Sequence, residues 1–243
     1  MNTAIVLMYH NIAMPPKTGR LRSLYVTPRM FRFQMWYLRA AGFKVVPLGE
    51  ILSSMKGHDQ GSRRVALTFD DGYRDFYQNA YPVLEKYGYP STVFLVSDLI
   101  GQENLWDNDR LKICKRLLNW DEIAEMKSRN VSFGSHTKTH PFLSGLSSHV
   151  LKEELFASKA ELEKRLGLPI EFFCYPYGDY DERTLSVVRE AGYLGAVTIS
   201  RGLVHRGDDP FQIRRSFIRL GTHPLLFMLK LHTRYEDRKG KRA

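Results

Sequence analysis

Short apolar runs alternate with amphipathic stretches along nearly the whole chain, and the residues richest in chemistry stand where the apolar runs stop. The runs at 4–9 (AIVLMY), 43–46, 65–69 (VALTF), 92–96 (TVFLV), 131–134, 170–175, 195–199 and 213–218 read as strands. The stretches between them carry helix signals. Thr27-Pro28 gives an N-cap and a first-turn proline ahead of Phe31, Met35 and Leu38 at helical spacing, with Gly42 at the end. Asn119 and Glu122 make a capping box for a helix over 119–129. Further helices are predicted over 75–87 (bent by Pro82, closed at Gly88), 147–166, 181–191 and 224–232.

This alternation predicts an α/β fold with a parallel sheet and helices outside it. At least seven strands in 243 residues suit a distorted (β/α) barrel of about seven parallel strands. Active-site residues of such barrels stand at the C-terminal ends of strands, where His10, Asp70-Asp71, His136 and Tyr175-Pro176-Tyr177 fall. The segment 99–118 fits the alternation poorly and reads as an excursion over the site or a surface flap.

Hydrophobic residues make up 43% of the chain, which excludes a disordered protein. The formal charge of +10 leaves nucleic acid, anionic lipid and acidic glycan as partners to weigh. The densest basic run, 234–242 (RYEDRKGKR), lacks the interleaved aromatics of a single-strand-binding platform, so nucleic acid is disfavoured. The chain therefore divides into a catalytic domain, 1–233, and a basic tail, 234–243, that suits contact with anionic lipid headgroups. The apolar run at 4–9 stops at His10 without a basic leader, and no run approaches the roughly 20 apolar residues of a membrane span. A cytoplasmic location, extending to the inner membrane face, is the expectation. Cys114 and Cys174 form no CxxC pair and no disulfide framework, and Cys174, in an apolar run, reads as a core residue.

Thr68-Phe69-Asp70-Asp71-Gly72 puts two acids at a strand end, with a glycine that lets the chain turn. Neighbouring side chains in extended backbone point apart, but a turn lets both reach one cavity in different roles. One carboxylate can bind a metal while the other takes a proton from water. Ser135-His136-Thr137-Lys138-Thr139-His140 adds two imidazoles four residues apart, which on a helical turn share a face. The spacing lacks the HExxH glutamate, so the base must come from elsewhere, and Asp70 is available. Together the motifs supply a two-His, one-carboxylate set with open positions, suited to a divalent metal that activates water.

TFDDG, SHTKTH and CYPYG, in this order and at these separations, resemble the polysaccharide deacetylase superfamily, carbohydrate esterase family four. The resemblance runs from His10 to about Arg219. It implies Asp70 as general base and Asp71, His136 and His140 as metal ligands. Zinc is the first choice of ion, and nickel, cobalt, iron and manganese suit the same set. Cys174 stands where many members have an arginine. Leu7-Met8-Tyr9-His10-Asn11-Ile12 and Tyr175-Pro176-Tyr177-Gly178 resemble the circularly permuted, poly-N-acetylglucosamine deacetylase branch. That likeness implies His10 as general acid; Leu229-Lys230-Leu231-His232 spells a rival acid motif, with His232 in the acid position. It also implies oxyanion or sugar contacts from Pro176 and Tyr177, and an arginine, Arg215 or its neighbour Arg214, that keeps Asp70 ionised. Trp106, Trp120 and Tyr73 are further candidates for stacking on sugar rings.

The sequence thus reads as a metal-dependent carbohydrate N-deacetylase acting on an N-acylated sugar, oligosaccharide or lipid-linked glycan. Hydrolysis of a non-sugar linear amide on the same barrel and a non-catalytic glycan-binding module are the competing readings. A binder has no need of a base beside a metal, which counts against the second.

Overall fold

The computed structural model describes residues 4–17, 20–57, 63–107 and 114–240. Seven strands form the central sheet: β1 (Ile5–Tyr9), β2 (Arg64–Phe69), β3 (Ser91–Leu95), β4 (Val131–Ser135), β5 (Phe172–Cys174), β6 (Gly195–Arg201) and β7 (Ile213–Phe217). Each is parallel to the next, and β7 pairs with β1, so the sheet closes on itself. The result is the distorted seven-stranded barrel that the alternation predicts. The apolar run at 43–46 is the exception, since its strand is only Lys44–Val45, paired to β2 outside the ring. It is confined between α1 (Pro28–Ala40), which ends before Gly42, and α2 (Leu48–Met55), which begins after Pro47.

Period-two alternation decides which side chains enter the barrel. Ile5, Leu7 and Tyr9 of β1, and Val65, Leu67 and Phe69 of β2, pack outward against the helices, while Val6 and Ala66 belong to the inner cluster. Phe94, Phe172, Val197 and Ile213 complete that interior, and Leu48, Ile51 and Met55 of α2 pack against it. Gly134 is required here: an added Cβ would lie 2.5 Å from the Phe94 ring. The same parity, carried toward the C-terminal strand ends, turns Met8 and His10, Thr68 and Asp70, His136, and Arg215 inward.

The helix signals are realised locally. Thr27 Oγ1 accepts the Met30 N–H at 3.2 Å, and both arms of the Asn119–Glu122 capping box are made at the start of α4 (Trp120–Lys127). Two helices expected to be continuous contain a π turn. Phe76–Ala80 is π-helical and hands over to α3 (Tyr81–Tyr87), so Pro82 sits in a first turn, where its missing N–H is tolerated. In the segment expected as one helix over 147–166, the π turn Glu153–Ala157 separates α5 (Ser148–Lys152) from α6 (Ser158–Leu166).

After α7 (Glu182–Glu190) and α8 (Pro224–His232), most of the segment expected as a solvated basic tail forms α9 (Tyr235–Gly240). Its two acids dock it. Buried Glu236 accepts from Arg201 Nε at 2.8 Å and bonds Lys230, while Asp237 accepts the Leu203 N–H at 2.8 Å and pairs with His205 at 3.1 Å. Residues 241–243 lie outside the described residues. Among the described residues, no helix is long and apolar enough to cross a membrane.

Candidate active site

A cavity of about 350 Å³ opens at the C-terminal end of the barrel, lined by His10, Asp70, Asp71, His136, His140 and Tyr177. Asp70 is placed by its backbone N–H, which bonds the Tyr9 carbonyl at 3.0 Å and so holds the end of β2 beside His10. His10 Nε2 lies 3.8 Å from Asp70 Oδ2, and its buried Nδ1 has no partner among the described residues.

Arg215 lies inside the barrel and uses all five N–H groups. Its Nη1 and Nη2 each bond Asp70 at 2.7 Å, its Nε bonds the Thr198 carbonyl at 2.8 Å, and Thr68 Oγ1 and Cys174 Sγ take the rest. Arg214, one residue back and of opposite parity, pairs with Asp208 instead. Burial alone would raise the Asp70 carboxyl, but the Arg215 charge and hydrogen bonds outweigh it and hold the group below the usual carboxylate range.

Asp71, His136 and His140 form a second, separate unit. Asp71 Oδ1 lies 3.3 Å from His136 Nε2 and 3.4 Å from His140 Nε2. Two donors each about 2.1 Å from one ion, at angles of roughly 90–110°, stand about 3.0–3.4 Å apart, so the spacing fits ligands of a common cation. His136 Nδ1 contacts the Cys174 carbonyl at 2.7 Å, which commits a ring proton there and turns Nε2 toward Asp71. Burial opposes ionisation of both Asp71 and His136. Their mutual contact nevertheless holds Asp71 well below the carboxylate range and, with Cys174, His136 well above the imidazole one; burial pushes His140 down. A cation would replace this internal ion pair.

The two imidazoles do not share a helical turn, contrary to the expectation from their spacing. They sit on a loop in which Thr137 and His140 are left-handed, with φ of 68° and 66°. Thr137 Oγ1 accepts the His140 N–H at 2.9 Å, and Glu154 accepts the Lys138 and Thr139 N–H groups at 2.8 and 3.0 Å. Glu154 comes from the second π turn and is a site residue that the sequence reading misses. Asp71 and Tyr177 are also left-handed, at 72° and 57°, so strained backbone is concentrated around this cavity.

The aromatic candidates separate. Trp106 stacks on His140 at 4.5 Å and 23°, and Tyr177 meets the same ring edge-on at 4.5 Å. Tyr73 is buried in a cluster with Val96, Leu99 and Leu117, and Trp120 lies under Arg165 away from the cavity. The excursion over 99–118 thus reaches the site through Trp106 and buried Asp107, although 108–113 lie outside the described residues. Pro176 opens the tight turn Pro176–Gly178, where a Cβ on Gly178 would lie 2.2 Å from Ile199. His232 is remote from the cavity: it bonds Tyr37 Oη at 2.9 Å and packs on Phe43 outside the barrel. Cys174 is buried but is more than core filling, since its carbonyl orients His136 and its thiol contacts Arg215.

A model of the polysaccharide deacetylase family matches residues 57–196, a stretch that holds Asp70, Asp71, His136, His140 and Tyr177. His10 and Arg215 lie outside it and are brought in by barrel closure. The Bacillus subtilis (strain 168) protein YxkH is 31% identical over 211 residues, spanning 86% of this chain and 69% of that protein. The poly-beta-1,6-N-acetyl-D-glucosamine N-deacetylase of Staphylococcus aureus (strain MSSA476) is 25% identical over 236 residues, spanning 89% and 79%. The structure of Streptococcus pyogenes deacetylase PplD in complex with acetate superposes with a TM-score of 0.83 at 26% identity, covering 95% of this chain and 98% of that one.

Proposed function

Because the chain belongs to the polysaccharide deacetylase family, we propose that it hydrolyses the N-acetyl (or a related N-acyl) amide of an amino-sugar-containing glycan or glycan precursor. One observation carries the reading: a carboxylate held ionised by a buried arginine stands beside a separate Asp-His-His donor set in one cavity. Asp71, His136 and His140 would hold a divalent metal, zinc first. Bound there, it would supply Lewis-acid polarisation of the amide carbonyl and a lowered water pKa.

Asp70 stays off the donor set and takes the proton from the attacking water. His10, beside Asp70 in the cavity wall, gives a proton to the departing amine. In the Pro176–Gly178 turn the Tyr177 backbone N–H would serve the developing oxyanion, since Pro176 has none and that of Gly178 bonds the Tyr175 carbonyl at 3.0 Å, and Tyr177 and Trp106 supply faces for a sugar ring. Arg215 acts through Asp70 and is a positioning residue.

The test is acetate release across N-acetylated oligosaccharides, lipid-linked sugars and sugar nucleotides, with oligomers of beta-1,6-linked N-acetylglucosamine first, since these are the substrate named for the S. aureus relative. Release from at least one sugar class is expected. Turnover confined to simple linear amides would move the protein to non-sugar amide hydrolysis.

A further inference from the structure

Arg201 ends β6 with the same inward parity as Val197 and Ile199, and its side chain joins Met8, His10 and Phe217 in the wall of the catalytic cavity. The C-terminal helix grips it from two sides. Glu236 takes its Nε–H at 2.8 Å, and a Cβ added at Gly240 would lie 2.2 Å from its carbonyl oxygen. The carboxylate that holds it does not neutralise the corner. Glu236 is shared with buried Lys230, so two cations divide one anion, and Arg219 adds its charge nearby.

The two chain segments that build this side of the cavity are free of acids, and Arg201 is the one Lys or Arg among the described residues that lines it. Residues 1–49 contain seven Lys or Arg and no acid, and residues 210–235 contain five and again none, although the chain has 26 acids in all. Those two stretches hold β1 and β7, which pair with each other and supply Met8, His10 and Phe217 to the wall. Arg201 is thus a lone cation beside the apolar Met8 and Phe217, while the acids Asp70, Asp71 and Asp107 line the rest of the cavity, and a local positive charge of this kind attracts a ligand group of the opposite sign.

We propose that Arg201 is a specificity determinant that holds an anionic group, phosphate or carboxylate, carried by the substrate next to its N-acetylated sugar. The inference rests on the deacetylase reading above. Glu236 occupies the Nε–H and Tyr235 also bonds the guanidinium; the remaining terminal N–H groups are those that pair with oxygens of one anion. Ile199 and Phe217 flank the site, where such a pair is stronger than in open water.

The test compares acetate release from three substrates of equal length: a neutral N-acetylglucosamine oligomer, one with a phosphate ester on the adjacent sugar, and one with a carboxylate there. The wild type should favour an anionic substrate in kcat/KM by about tenfold or more, the scale of one charge-assisted pair, with the gain in KM and shrinking as salt rises. R201Q should collapse that ratio and R201K retain part of it; whichever anion is favoured identifies its source. Equal kcat/KM on all three substrates, or an unchanged ratio in R201Q, overturns the proposal. Calorimetric titration with inorganic phosphate gives a readout independent of turnover, with binding about tenfold weaker expected in R201Q. Equal binding by both proteins overturns the proposal. No acetate from any substrate, with phosphate binding lost in R201Q, sinks the deacetylase reading and leaves the anion site standing.

Discussion

Arg215 grips Asp70 with two parallel hydrogen bonds of 2.7 Å, and both residues are buried inside the closed barrel. The pair joins β7 to the end of β2, strands that lie on either side of β1. Its consequence is chemical: a carboxylate that burial would neutralise is kept ionised.

Removing the arginine should therefore act on pH dependence as well as stability. Asp70 is held below its ordinary value, so it stays ionised as pH falls to that lowered value. Arg215→Met lets the carboxyl rise, and activity should be lost at a higher pH on the acid side of the kcat/KM profile. Urea unfolding should show a loss of about 3–5 kcal/mol, because a buried charge is left unpaired. Arg214→Met breaks the part-exposed pair with Asp208 and should cost no more than about 1 kcal/mol.

Elemental analysis of the purified protein should find about one divalent ion per chain, as expected for a single three-residue ligand set. Asp71→Ala, His136→Ala and His140→Ala should each lose most of it. Glu154→Gln should weaken metal retention less, because it loosens the loop that carries His140 without removing a ligand. Full metal content in Asp71→Ala would place the ion elsewhere.

His10→Ala should lower kcat by about 10²–10⁴-fold if it supplies the general acid. His232→Ala, altered outside the barrel, should keep wild-type turnover. The reverse pattern would transfer the acid to α8.

The docked C-terminal helix predicts an acid-sensitive contribution to stability. Burial opposes the charge on Glu236, but Arg201 and Lys230 outweigh it and depress its pKa. A depressed carboxyl stabilises the fold fully above its unfolded value and progressively less as pH falls through the folded one. Glu236→Gln should cost about 3 kcal/mol at pH 7, and its gap from the wild type in urea unfolding should narrow on acidification. A gap constant with pH would show that Glu236 acts only through packing.

The strands were legible because period-two patterning sets burial on each, and Asp70, Asp71, His136 and His140 were legible because they stand at strand ends. What escaped was set by partners distant in sequence. Arg214 and Arg215 are indistinguishable until the register of β7 turns one inward and the other toward Asp208. The His136–His140 spacing suggests a helical turn, yet left-handed Thr137 and His140 make a loop, supported by Glu154 from a π turn that has no sequence mark. Trp106 and Asp107 lie in an excursion without periodicity. The basic residues dominate the tail's sequence, whereas its position is set by Glu236 and Asp237.

In the proposed mechanism Asp70 serves as base while its neighbour Asp71 belongs to the metal set. The most direct measurement is acetate release from a beta-1,6-linked N-acetylglucosamine oligomer by wild type and Asp70→Asn, each with its metal content determined. Turnover by the wild type is expected and, in Asp70→Asn, unchanged metal with kcat lowered about 10²-fold or more. Full activity in Asp70→Asn, or loss of its metal together with its activity, would contradict the division of roles.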